Sequence, residues 1–355
     1  MKKRNKLVAL AIAAAMATTM FAGCGEKKEE APAADAASTS AEAEAPAAEA
    51  GDGEYEITFI LSLRDEFLSA LEKGANDNCP SNVKLTSQDA QNDAAKQQQM
   101  IESARNAEND AIIVNLVDPA SAASMLESAG DTPVVFVNRY PTDDSVLDPA
   151  KCVYVGSDEM TSGKFQGEFL VDYFNAKGQK DITYVMIQGT LGQTSTTNRT
   201  ASAVKALEDG GLNITLKGAE LAGEYDRATA IEVFSPLIST GEVDFDCVIS
   251  NNDAMALGVI EAMEQKGLNP GDIPIVGIDA TADGRQAIKD GKLAMSVFQD
   301  PNGQGKGAIL AAVNMVEGKA LNEGSDFEIA AENPAIVWVP FEPVTPDNVA
   351  DYDNR

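Results

Sequence analysis

The segment from Asp246 to Ala287 constrains the fold of this chain more than any other. It reads DCVISNNDAMALGVIEAMEQKGLNPGDIPIVGIDATADGRQA. The apolar run CVIS has the length and composition of a buried strand, and it ends on the polar cluster Asn251, Asn252 and Asp253. A helical stripe follows in Met255, Leu257, Val259, Ile260 and Met263. Gly267 stops that helix, and Pro270-Gly271 turns the chain into a second apolar run, IPIVGI, which ends at Asp279. Two buried strands joined by a helix are parallel neighbours. In an open parallel sheet the polar groups at their carboxyl ends line the ligand crevice.

The same grammar repeats on both sides. ITFILSL, VKLTSQDA, AIIVNLVDP and PVVFVNR read as four strands separated by helical patterns between Tyr55 and Arg139. The pattern restarts after Pro141 with VYVG, a helix from Ser162 to Phe174 and the strand ITYVMIQG. Then come a polar loop from Thr190 to Asn198, a helix from Arg199 to Leu207, and the strand-like run LKGAELAG. LAMSVFQD precedes a helix from Gly303 to Val316, and NPAIVWVPF reads as a late strand. Two α/β halves in one chain predict two doubly wound parallel-sheet domains with a cleft between them.

The amino terminus is of another kind. MKKRNK is basic, Leu7 to Met20 is apolar and small, and Phe21-Ala22-Gly23-Cys24 follows. This is the pattern of a secretory signal ending in a lipobox, with Cys24 as the lipidated residue and residues 1–23 as the signal peptide. Residues 24–54 are rich in Ala, Glu, Pro, Ser and Thr without apolar periodicity, so they read as an acidic flexible linker. Cys79, Cys152 and Cys247 remain, an odd number whose spacing gives neither a zinc site nor a disulfide framework.

Composition excludes several classes. With 56 acidic and 27 basic residues the formal net charge is −29, which repels nucleic acid and anionic membrane faces. The chain has no histidine, which removes the commonest general base and metal ligand. Gly303-x-Gly305-x-Gly307 lacks the wider dinucleotide fingerprint, and Ser162-Gly163-Lys164 lacks the earlier glycine of a phosphate loop. Thr194-Ser195-Thr196 has no base to activate it, and no calcium-binding loop is present.

What remains is a dispersed polar set at strand ends: Asp65, Phe67, Asn115, Asn138, Arg139, Arg199, Tyr225, Asn252, Asp279 and Gln299. Singly, each has a plain reading as a helix cap, a solvated charge or a core aromatic. Together they are the groups that hold a polyhydroxylated ring. Amides and carboxylates pair with neighbouring hydroxyls, and aromatic faces cover the C–H faces. A glycoside hydrolase using Asp65 and Asp279 as its carboxylate pair is the competing enzymatic reading, disfavoured because surrounding amides and arginines keep carboxylates ionised.

NLVDPA, VISNNDAMALG, IPIVGIDATADG and VFQDPNGQGKGA, in that order, resemble the periplasmic sugar-binding proteins of the ribose and galactose/glucose type. These are substrate-binding subunits of ABC importers. The resemblance runs from about Tyr55 to the end. It implies a type I periplasmic binding protein (a Venus-flytrap) whose two lobes are joined by three crossings, near Arg139 to Pro141, Asp300 and Trp338 to Pro340. One lobe would hold residues 55–139 and 301–338, and the other residues 140–300 and 339–355. Trp338, the only tryptophan, would be a crossing residue. Asp65, Phe67, Arg199, Asn252 and Asp279 match binding positions of the family, and Tyr225 stands where tryptophan is usual. Asn115 follows the galactose/glucose branch, whereas Asn138-Arg139 and Gln299 follow the ribose branch. Gln193 and Ser195 replace the His and Asp of the galactose/glucose branch. The calcium loop of that branch is reduced to a turn at Ala176 to Lys180. The resemblance therefore implies a monomeric, extracytoplasmic, non-enzymatic lipoprotein without cofactor or metal, anchored to the cell membrane only by its lipid. It would bind a monosaccharide and deliver it to an ABC permease, or alternatively sense a sugar or signal molecule for a receptor.

Overall fold

The structure, a computed structural model, describes residues 54–355. The predicted signal peptide, the Cys24 lipidation site and nearly all of the linker lie outside the described residues. The first half runs β1 (Tyr55–Leu61), α1 (Glu66–Asp77), β2 (Val83–Asp89), α2 (Ala94–Asn106), β3 (Ala111–Val114), α3 (Ala122–Ala129), β4 (Val134–Val137) and β5 (Cys152–Gly156). The second half runs α4 (Glu159–Ala176), β6 (Asp181–Gln188), α5 (Thr194–Asp209), β7 (Asn213–Leu216), β8 (Leu221–Ala222), α6 (Arg227–Phe234), β9 (Cys247–Ser250), α7 (Asp253–Gln265), β10 (Ile275–Val276), α8 (Ala282–Lys289) and β11 (Ser296–Gln299). The chain closes with α9 (Pro301–Glu317), β12 (Glu328–Ile329), β13 (Ile336–Trp338) and β14 (Phe341–Val344).

The strands form two parallel sheets. The first has the order β12-β13-β5-β4-β3-β1-β2, parallel throughout except for the β12–β13 pair. The second has the order β10-β9-β6-β7, with β8 also parallel to β6, and the antiparallel pair β11–β14 is bridged to its edge through Val276–Met295 and Asp279–Phe298. Central strands such as AIIV, VVFV and CVIS are buried along their whole length. That is why they read as continuous apolar runs rather than alternating ones. One core gathers Phe59, Ile113, Val135 and Tyr154 around the first sheet, and two others lie on the faces of the second.

The predicted lobe boundary needs a correction. The strand VYVG, assigned to the second lobe, lies within β5, which pairs in parallel with β4 and β13 of the first sheet. The first crossing therefore follows Gly156 instead of lying at 139–141. A bare strand motif carries no label for its sheet; only its partners do. The other crossings lie at Asp300, between β11 and α9, and at 339–340, where NPAIVWVPF splits into β13 and β14 in different sheets. α9 packs on α1 and on β3, β4 and β5, so it belongs to the first lobe. Helix starts also moved. α4 begins at Glu159 and α5 at Thr194, inside the stretch read as a polar loop, which places Arg199 within the helix. Trp338 ends β13 and stacks on Tyr140, with ring centroids 6.4 Å apart.

Candidate functional site

Nine of the ten predicted residues line one small cavity of about 70 Å³ between the lobes, joined by Leu68, Glu159, Gln193 and Ser195. The first lobe supplies Asp65, Phe67, Asn138 and Arg139 from the ends of β1 and β4. The second supplies Glu159, Gln193, Ser195, Arg199, Tyr225, Asn252, Asp279 and Gln299. Most of them follow or end a strand or open the helix after it, as the crevice rule for such sheets requires, and Arg199 lies in the second turn of α5.

Asn115 is a correction. It is wholly buried and does not line the cavity. Its Oδ1 accepts from Ser62 Oγ at 2.6 Å, while its Nδ2 donates to Val137 O at 3.1 Å and Asn138 Oδ1 at 3.3 Å. With both ends of the amide used, Asn115 ties three strand ends together beneath the cleft and holds Asn138 in place. Asn138 needs holding, because its φ of +66° lies in the left-handed region.

Several side chains do two jobs. Asp65 caps α1 by accepting from Leu68 N at 2.7 Å, and Asn252 caps α7 by accepting from Met255 N at 3.1 Å. Capping uses one acceptor and leaves the other polar atom of each to the cleft. Arg139 is fixed by donating to the Leu116 and Val117 carbonyls at 2.9 and 3.1 Å. Burial lowers its pKa, against the pull of the Asp65 carboxylate. The Tyr225 hydroxyl meets Ser195 Oγ at 2.9 Å and Thr196 Oγ1 at 3.0 Å. Its ring lies so close over Gly189 that a Cβ there would fall 2.0 Å from it. Thus Tyr225 is locked by packing on one side and hydrogen bonds on the other.

Arg199 is the centre of the second-lobe surface. Its Nε and Nη2 donate to Glu159 at 2.6 and 2.9 Å, its Nη1 donates to Asn251 O at 2.8 Å, and Asp279 Oδ1 lies 3.9 Å away. Burial is the largest influence and opposes its charge, but the pull and hydrogen bonds of Glu159, together with Tyr225 and Asp279, outweigh it and raise its pKa. Asp279, 8% exposed, is pushed well above the ordinary carboxylate value by burial, which Arg199 offsets only in part. Gln299 accepts weakly from Arg199 at 3.4 Å, and its buried Nε2 has no partner among the described residues. Glu159 was not foreseen. In the sequence it is the second acid of Ser157-Asp158-Glu159, and nothing local separates the cap from the ion-pair partner. Asp158 takes the cap, accepting from Met160 N at 3.0 Å, and Glu159 turns inward.

The model of the periplasmic binding protein domain matches residues 57–320, most of the chain. The chain belongs to the periplasmic binding protein family. Among its relatives in that family is a putative rhizopine-binding protein of Rhizobium meliloti, 35% identical over 299 residues, which cover 82% of this chain and 90% of the relative. A D-galactose/methyl-galactoside binding periplasmic protein of Haemophilus influenzae is 29% identical, with 81% and 88% covered. A solved ABC transporter solute binding protein of Bacillus halodurans with bound myo-inositol is 30% identical and superposes with a TM-score of 0.72, covering 85% of this chain and 98% of that one. As a periplasmic binding protein, the chain has an extracytoplasmic site of action and binds rather than transforms its ligand. Its two-lobed α/β architecture is that of the type I, Venus-flytrap members.

Proposed function

We propose that this periplasmic binding protein captures one polyhydroxylated ring, a monosaccharide or a cyclitol, between its lobes and delivers it to an ABC permease. One observation carries the reading. Asp65, Arg139 and Phe67 on one lobe face Asp279, Arg199 and Tyr225 on the other across a single small cavity. Each lobe thus offers a carboxylate acceptor, a guanidinium and an aromatic. Opposed sets of this kind bind one face of a ring in the open form and the other on closure. The myo-inositol bound in the solved relative favours a cyclitol.

Micromolar binding needs about −8 kcal/mol. Some ten hydrogen bonds at a net ~1 kcal/mol each supply it after the cost of closure. The Gln299 Nε2 donor and the Asp279 carboxylate, whose Oδ1 lies 3.9 Å from Arg199, are among the groups available. The chain acts as a monomer tethered through Cys24.

The test is calorimetry with myo-inositol, D-galactose and D-ribose on the wild type and Asp279→Asn. Asn replaces one acceptor oxygen with a donor, so affinity for the best ligand should fall about ten- to hundredfold, the effect of about 1.5–3 kcal/mol. Unchanged affinity would remove Asp279 from the site. Turnover of a chromogenic glycoside would replace the binding reading with a hydrolytic one.

A further inference from the structure

Asp253 lies outside the cavity lining, yet it is completely buried and charged-type. We propose that Asp253 is the positioning residue that sets the ligand contact of Asp279, acting through the backbone of residues 279–281. This inference rests on Asp279 being a ligand contact.

Asp279 and Ala280 have φ of +112° and +46°, a region that L-residues rarely adopt. Such a turn persists only where its surroundings over-determine it. Three successive amides are held. Asp279 N donates to Val297 O at 2.7 Å, Ala280 N to Ser296 Oγ at 3.0 Å, and Thr281 N to Asp253 Oδ2 at 2.9 Å. Ser296 Oγ in turn donates to Asp253 Oδ1 at 2.6 Å. One carboxylate therefore fixes Thr281 directly and Ala280 through Ser296. Its backbone amide also binds Ile278 O at 2.7 Å, on the other side of Asp279.

The surroundings are built for that carboxylate. A Cβ at Gly277 or at Gly284 would lie 2.1 Å from one of its oxygens. A capping role does not explain it, since Asn252 already caps α7. Thr281 N can only donate, so one oxygen must accept there, and the other takes the proton of Ser296 Oγ, which itself accepts from Ala280 N. The charged groups facing it are Glu66 of α1 and Asp279, which repel it, and Arg285 of α8, which attracts it. Asp253→Asn keeps the shape and one acceptor for Thr281 N but removes the acceptor for the Ser296 proton, which loosens the hold on Ala280.

A double-mutant cycle separates positioning from general structure. Affinity for the best of myo-inositol, D-galactose and D-ribose is measured in the wild type, Asp253→Asn, Asp279→Asn and the double variant. Asp253→Asn should weaken binding about tenfold, roughly one hydrogen bond to a charged group. In the Asp279→Asn background that penalty should largely vanish. Ser296→Ala should behave likewise, and it supplies the same cycle if Asp253→Asn does not fold. Penalties that multiply, or wild-type affinity in both Asp253→Asn and Ser296→Ala, would overturn the inference while leaving the site intact. Wild-type affinity in Asp279→Asn would instead overturn the reading beneath it.

Discussion

Glu159 and Arg199 form a two-point ion pair in which both side chains are nearly sealed from solvent, 4% and 5% exposed. The pair fixes the guanidinium so that its Nη1 edge is directed to Asn251 O, with Asp279 Oδ1 within 3.9 Å. Glu159 therefore sets how much of the Arg199 charge reaches the cleft. Removing one partner of a buried pair leaves an uncompensated charge, at a cost of about 3–5 kcal/mol. Glu159→Gln should lose about 3 kcal/mol of stability in urea unfolding and also bind ligand more weakly, as Arg199 swings toward Asp279. Stability within 1 kcal/mol of wild type, by the same measurement, would show that the pair contributes little.

The ligand-free protein should lose stability as pH rises through the neutral range. Burial pushes Asp253 from 3.8 up to about 7, and Asp279 moves in the same direction. A carboxyl with a raised folded-state pKa binds protons more tightly when folded. Its contribution is therefore full below about 4 and is lost as pH climbs toward and through about 7. Acids shifted the other way, such as Asp226 with its bonds from Thr229, act below that window. The melting temperature of the apo protein should decline from pH 5 to 8, and the slope should flatten in Asp253→Asn. An apo melting temperature that climbs over this range would contradict the assignment.

Cys24 follows a basic, apolar and small-residue succession. Cys24→Ala should move the protein from the membrane fraction to the soluble one, read by fractionation and immunoblot. Equal membrane retention of both forms would refute lipid anchoring.

Among the described residues no group of three or more His, Cys, Asp or Glu side chains is placed to hold a metal ion. Ligand affinity should be the same with and without EDTA. A large loss that calcium restores would mean that the turn at Ala176 to Lys180 binds metal after all.

The sequence alone determined the α/β class, the two-lobed architecture and nine of the residues that line the cavity between the lobes. These are local or periodic properties. An apolar run followed by a helix stripe must place its terminal polar residue at a strand's carboxyl end, so Asp65, Asn138, Asn252 and Asp279 could be named in advance. Only the tertiary structure decided which sheet took a strand and which polar side chain lined the cavity or was buried beneath it. β5 went to the first sheet because β4 and β13 offered edges to pair with, and pairing is non-local. Asn115 was drawn under the cleft because Ser62, Val137 and Asn138 satisfy both ends of its amide there. Glu159 and Asp253 gained their roles from partners 40 and 43 residues away, Arg199 and Ser296. A buried charge is defined by the groups that compensate it, and sequence spacing does not reveal which groups the fold will bring to it.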